Sequence, residues 1–320
     1  MLEVLISPPV KAKHRAALER VAEGRNARLT FLEGERPTDS QLEQVHVVIG
    51  NQDPERIAKA KNLRWLQLFS AGADGFIQPG VLRPGAILTN ATGGYGLAIS
   101  EHMMGMLLML MKNLHLYRDN QRKTLWRDEG PVTSLEGATV LVVGLGDIGG
   151  EFAKRLRPFG AVIWGVKRRP SAKPEYVDRL ALTEQLDELL PQADVVALAL
   201  PGTVETAGMF SRRRLSLMKR GAFLLNVGRG SAVDQDALAE LLENGHLGGA
   251  GLDVTDPEPL PAEHPLWKAK NALITPHVSG GFHLPQTLDR IVGIAARNLS
   301  HFLHGEEMEN VVDFATGYKK

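Results

Sequence analysis

The stretch "TVLVVGLGDIGGEFAKRL" (Thr139–Leu156) decides how this chain folds. It opens on an apolar run, Thr139–Val143, with the character of a strand covered on both faces. Gly144, Gly146 and Gly149 follow in G-x-G-x-x-G spacing, and a helical pattern begins near Ile148. In that setting the first glycine permits a tight turn and the second lets the backbone approach a pyrophosphate. The third lets the helix pack closely on the strand. The N–H groups at the helix start, around Asp147 and Ile148, offer partial positive charge to an anion. With 33 glycines in the chain the spacing alone proves little. The strand before it and the helix after it make it a candidate dinucleotide loop.

Outward from this loop, "AVIWGV" (161–166), "DVVALAL" (194–200), "FLLNV" (223–227), "GAGLDV" (249–254) and "ALIT" (272–275) read as further strands. Helical segments lie between them, such as "DQDALAELLENG", with Asp234 as N-cap and Gly245 just past the end. Six strands with helical crossovers predict a doubly wound parallel sheet, a Rossmann domain, over residues 98–283. Residues 1–97 and 284–320 offer "EVLIS", "ARLTFL", "VHVVIG", "RWLQLF" and "AILT" as strands and "QTLDRIVGIAARNLSHFLHG" as a long helix. The expectation is a two-domain α/β chain, with the Rossmann domain inserted in a flavodoxin-like substrate domain.

The turn after the second Rossmann strand, "VKRRP" (Val166–Pro170), stands where such chains usually place an acid for the ribose 2′-hydroxyl. Here Lys167, Arg168 and Arg169 stand instead. A guanidinium grips a phosphate with paired charge-assisted bonds, so the turn predicts a preference for NADP(H), with NAD(H) also accepted. A solvated basic turn is the plainer alternative.

Composition narrows the classes of partner. Apolar residues make up 43% and charged residues 23%, and 37 Lys and Arg balance 37 Asp and Glu. That is a soluble globular mix with no overall field to draw nucleic acid or an anionic membrane. Cysteine is absent, which excludes disulfides, thiolate metal sites and a cysteine nucleophile, and no metal site is expected. The N-terminal "MLEVLISPPVKAKHR" reverses the order of a secretory signal, and "MMGMLLMLM" (103–111) is too short to span a bilayer. A cytoplasmic protein is expected.

Three later segments each put a polar residue just past a strand, at the edge where open parallel sheets bind ligands. "NVGRG" places Arg229 between two glycines, "GLDVTDPEP" places Glu258 in a proline-stiffened loop, and "ITPHVSGG" places His277 after the last strand. Each alone reads as an ordinary surface or structural residue. Together at one edge they form a candidate catalytic set.

With these segments the chain resembles the D-isomer-specific 2-hydroxyacid dehydrogenase family over essentially its whole length, most strongly from "TVLVVGLGDIG" to "ITPHVSGG". The resemblance implies an NAD(P)-dependent oxidoreductase that interconverts 2-keto and D-2-hydroxy acids, with Arg229, Glu258 and His277 catalytic. Lys167 departs from the Asp that many members carry for NAD. Reduction delivers a hydride to the carbonyl carbon and a proton to its oxygen, which an imidazolium supplies near neutral pH. The resemblance also implies carboxylate binding by the loop in "LFSAGADGF", at Ala71, Gly72 and Ala73, with Asn90 lining the cleft. Asp253 resembles the acid that faces the nicotinamide carboxamide. Leu200, Pro201, Thr206, Val227 and Gly228 would line the cofactor groove. A glyoxylate/hydroxypyruvate reductase and a phosphoglycerate-type dehydrogenase are the nearest alternatives; a nucleotide-sensing corepressor or scaffold is one from another class. By analogy the chain is a homodimer, with Trp126 in "HLYRDNQRKTLWRD" an anchor.

Overall fold

The computed structural model describes all residues except Thr316 and Lys320, and Tyr318 and Lys319 through their backbone alone. The chain divides into two compact units, Met1–Tyr95 with Phe282–Lys320, and Gly96–Gly281.

In the first unit, strands β1 (Leu2–Ile6), β2 (Ala27–Phe31), β3 (Val47–Ile49), β4 (Trp65–Gln67) and β5 (Ile87–Thr89) form a parallel sheet in the order β2-β1-β3-β4-β5. This is the flavodoxin-like order, and its apolar runs are short because each strand is short. Val4, Ile6, Val47, Ile49, Trp65 and Leu88 are buried in its core. A polar chain crosses that core. Trp65 Nε1 donates to Thr89 Oγ1 at 2.8 Å, and Thr89 Oγ1 donates to Gln67 Oε1 at 2.8 Å. Asn298 Nδ2 donates to the same Gln67 oxygen at 2.8 Å, which ties the helix Pro285–His304 to the sheet. His14 and Lys13, on the helix Ala12–Ala22, both reach Asp289 of that long helix at 2.7 Å.

In the second unit, β6 (Thr139–Val143), β7 (Val162–Lys167), β8 (Arg179–Leu182), β9 (Val195–Leu198), β10 (Phe223–Asn226), β11 (Gly249–Leu252) and β12 (Ala272–Ile274) form one parallel sheet. Its order is β12-β11-β10-β9-β6-β7-β8. Six strands were expected and seven are present. The additional strand, β8, lies at the sheet edge beside β7, with Arg179 exposed and its guanidinium 5.1 Å from the Trp164 ring centroid. A short edge strand with a charged residue lacks the continuous apolar run that marks the central strands. The strand order reverses between β6 and β9, and the loops leaving their C-terminal ends form the edge where such sheets hold ligands.

The helix Gly96–Met111 belongs to this unit and buries Met103, Met104, Met106, Leu107, Leu110 and Met111. Its unbranched methionines fill irregular space, and Met106 fits against the bare face of Gly251 in β11. No helix among the described residues is long and apolar enough to cross a membrane.

Candidate active site

The loop between β6 and the helix Asp147–Leu156 is shaped by exclusion. Gly144 has φ +99°, and a Cβ there would stand 2.5 Å from the Ala199 carbonyl oxygen. No other residue fits, so the chain turns tightly against the exit of β9. Gly146 is the N-cap residue with no side-chain cap, which leaves the helix N-terminus presented by backbone alone. Ile148 and Gly149 lie in its first turn, and Asp147 Oδ2 accepts from Gly96 N at 2.8 Å, anchoring the helix start. A cradle so tight that a Cβ at Gly144 or Gly149 would strike backbone, at the start of a ten-residue helix, fits a pyrophosphate.

Flanking β6 in the sheet, β7 and β9 send out loops on either side of this cradle. After β7, Arg168 and Arg169 are exposed, while Lys167 Nζ donates to Ser171 Oγ at 2.9 Å within its own turn. After β9, Leu200 and Pro201 lead into a knot where Thr206 Oγ1 donates to the Pro201 carbonyl at 2.6 Å and accepts from Thr203 N at 2.9 Å. The Thr203 hydroxyl and Glu205's own backbone hold the Glu205 carboxyl below its ordinary range, and the charge of Arg168 adds to the effect. Glu205 is therefore within electrostatic reach of Arg168. No motif or spacing marked it in the sequence.

Arg229 follows β10. Asn226, buried at the end of that strand, accepts from Gly228 N at 3.1 Å and donates to the Arg229 carbonyl at 2.9 Å, clamping the turn that also holds Val227. A Cβ on Gly230 would lie 2.0 Å from the Thr255 carbonyl, so only glycine permits the two loops to meet here. The Arg229 side chain passes over Gly202, and its Nη1 donates to the Gly228 carbonyl at 2.8 Å.

That contact with Thr255 leads to the remaining pair. Thr255 N donates to Glu258 Oε1 at 3.1 Å, and Glu258 Oε2 lies 2.8 Å from His277 Nδ1. An ionised carboxylate only accepts, so Nδ1 carries a proton and Nε2 is left to face a reactant. The two side chains are 49% and 40% exposed, for His277 and Glu258 respectively, so the ring can be reached from outside the fold. His277 has φ +51°, a conformation that side chains other than glycine seldom adopt.

The turn carrying His277 is braced by Asp253. This carboxylate, in a residue 1% exposed, accepts from Thr275 Oγ1 at 2.6 Å, Val278 N at 3.0 Å and Ser279 N at 3.1 Å. Ser279 Oγ donates to it as well. These bonds make Asp253, which the resemblance places at the nicotinamide, the brace of the turn as well.

The first unit's loop after β4 is built in a similar way. Asn51 Oδ1 accepts from Phe69 N at 2.8 Å and Ser70 N at 3.3 Å, and Ser70 Oγ donates to the Gly72 carbonyl at 2.7 Å. Asn90, fully buried, donates to the Ala71 carbonyl at 2.7 Å. Asn90 thus shapes the Ala71–Gly72–Ala73 loop through its side chain. Sequence reasoning passed over Asn51, since a lone asparagine after a strand carries no signature. Among the described residues no group of His, Asp or Glu could hold a metal ion.

The family model for the D-isomer specific 2-hydroxyacid dehydrogenase NAD binding domain matches residues 104–279. This chain belongs to that family. As a whole, the dehydrogenase is similar to a glyoxylate reductase of Thermofilum pendens, with 34% identity over 263 residues, 79% of this chain and 76% of the relative. Among solved structures it resembles a family protein from Aeromonas salmonicida, at 34% identity and TM-score 0.83, covering 98% of this chain and 99% of the other. A family member from Xanthobacter autotrophicus, solved in complex with NADPH and MES, shares 29% identity at TM-score 0.81, with 99% of each chain covered. The dehydrogenase is accordingly an NAD(P)-dependent oxidoreductase acting on CH–OH groups.

Proposed function

We propose that this dehydrogenase reduces a small 2-keto acid to the D-2-hydroxy acid and prefers NADPH, with NADH as the weaker cofactor. The observation that carries the reading is the 2.8 Å pair of His277 Nδ1 and Glu258 Oε2, set on the sheet edge that also bears the glycine cradle and Arg229. His277 holds the proton at Nε2 and gives it to the carbonyl oxygen as charge develops there. Glu258 fixes the ring and faces the imidazolium with a carboxylate. Arg229 pairs with the substrate carboxylate and stabilises the developing oxyanion. In the first unit, the loop Ala71–Gly72–Ala73 offers backbone N–H groups as a carboxylate-binding element.

The cofactor, when bound, supplies the hydride. Gly144, Gly146, Asp147, Ile148 and Gly149 would hold its pyrophosphate through backbone groups. Leu200, Pro201, Thr206, Val227 and Gly228 would line its groove, and Arg168 with Lys167 and Arg169 would take the 2′-phosphate. The exposed guanidinium at the ribose turn supports the NADPH preference, as does the Xanthobacter relative solved with that cofactor. Chiral chromatography of the product from hydroxypyruvate or phenylpyruvate tests the reaction. The D enantiomer is expected, and an L product overturns the assignment.

We further propose a homodimer in which the segment around Trp126 meets a second copy. Trp126 is fully exposed, yet its segment is folded back by bonds from Tyr117 Oη to Asp128 at 3.0 Å and from Glu129 N to Tyr117 Oη at 3.1 Å. An indole held out by ordered backbone is the kind of anchor that interfaces use. Light scattering at micromolar concentration should give twice the mass of the chain, and Trp126→Ala should lower it. A monomeric mass for the wild type removes this proposal.

A further inference from the structure

His102 lies on the helix Gly96–Met111, with its side chain 25% exposed and its Nε2 3.0 Å from Thr275 Oγ1. The same nitrogen is 3.9 Å from Asp253 Oδ1, too far for a hydrogen bond to that oxygen. Thr275 has one hydroxyl proton, and at 2.6 Å from Asp253 Oδ1 that proton belongs to the carboxylate. Thr275 therefore accepts from His102, and the bonds run in one direction: His102 Nε2–H to Thr275, Thr275 O–H to Asp253.

Asp253 is the point on which the His277 turn is fixed. Its carboxylate receives Val278 N and Ser279 N, and its own carbonyl receives His277 N at 2.8 Å. His277 N also donates to the Thr275 carbonyl at 3.0 Å. These bonds hold a histidine at φ +51°, where its backbone would not rest unaided. A hydroxyl with no outside donor can rotate away from its acceptor. A donor placed on its lone pair leaves the proton one good direction, and bonds in such a chain strengthen one another.

We propose that His102 is a positioning residue for the proton donor: its bond to Thr275 locks the Thr275–Asp253 contact, and through it the turn that aims His277. The inference rests on His277 being the proton donor. It reaches beyond that reading by joining a helix to the reacting edge through two intervening residues.

The test uses the full-length protein in paired substitutions. His102→Leu removes the donor, and His102→Gln keeps an N–H at similar reach. Thr275→Val and Thr275→Ser repeat the contrast at the next link. The expected result is a fall in kcat of up to about tenfold in His102→Leu, the scale of one neutral hydrogen bond, and of about tenfold or more in Thr275→Val, which loses a bond to a carboxylate. His102→Gln and Thr275→Ser should recover most of it. NADPH affinity, read by fluorescence titration, should be unchanged in all four. The double variant His102→Leu/Thr275→Val should be no slower than Thr275→Val alone, because both changes cut one chain. Full kcat in His102→Leu overturns the proposal, as do equal losses in His102→Leu and His102→Gln, or losses that multiply in the double variant. If His102→Leu does not fold, the Thr275 pair decides by the same contrast. His277→Ala run alongside separates the two claims: normal turnover there defeats the proton-donor reading, whereas a dead His277→Ala beside a normal His102→Leu defeats only this one.

Discussion

His277→Ala is expected to lower kcat by about 10²–10⁴-fold while leaving NADPH binding intact, since a positioned proton donor is worth that much. The cofactor's contacts in this account come from the glycine cradle, the basic turn and the loops after β9 and β10. None of them includes the imidazole, so affinity and turnover should separate. Glu258→Gln should cost less, because the ring remains in place and loses only its charged partner. Arg229→Lys should also be impaired: one ammonium cannot reproduce two parallel contacts to a carboxylate. Stopped-flow or steady-state rates with the same 2-keto acid, set beside a fluorescence titration of NADPH, make the comparison. Near-normal kcat in His277→Ala would show that the proton comes from elsewhere.

The second large effect concerns the basic turn. Lys167→Asp combined with Arg168→Ala should reverse the cofactor preference, because it removes a phosphate partner and adds a charge that repels the phosphate. A hydrogen bond to a charged group contributes about 1.5–3 kcal/mol, so Arg168→Ala alone should weaken NADPH by roughly ten- to a hundredfold. NADH lacks the phosphate and should change little. Arg168 is the first choice of the three cations because Lys167 already donates to Ser171, and of the two exposed arginines Arg168 directly follows the ribose position. Equal weakening of both cofactors in Arg168→Ala would mean that the turn shapes the site and does not read the phosphate.

Much of this was legible before any coordinates, for identifiable reasons. A parallel strand covered on both faces must be apolar throughout, so β6, β9 and β10 stand out as unbroken runs. The G-x-G-x-x-G spacing was readable because the strand and helix around it are equally plain. β8 escaped because it is four residues long, opens on an exposed arginine and takes its place at the sheet edge by pairing with β7. The catalytic candidates were visible as polar residues at strand exits, but their mutual geometry was not. Thr255 bonding Glu258, and Glu258 bonding His277, depend on how the loops after β11 and β12 meet. Asp253 shows the limit most clearly. Its position suggested a cofactor role, while the bonds by which its carboxylate braces the His277 turn come from residues 22 to 26 positions away. His102 and Thr275 are separated by 173 positions, and no local pattern links a helix residue to a strand end at that distance. Asn51 and Asn226 escaped for a related reason: each acts by bonding backbone groups, a role many residue types share in sequence.

The central claim is that the His277–Glu258–Arg229 edge performs NADPH-dependent reduction of a 2-keto acid. The most direct measurement is kcat/KM of the wild-type protein for glyoxylate, hydroxypyruvate, pyruvate and phenylpyruvate, each with NADPH and with NADH. The account predicts turnover of at least one of these acids, with NADPH the better cofactor. Absence of turnover with every acid and both cofactors would contradict it and point to a nucleotide-binding role for the same fold.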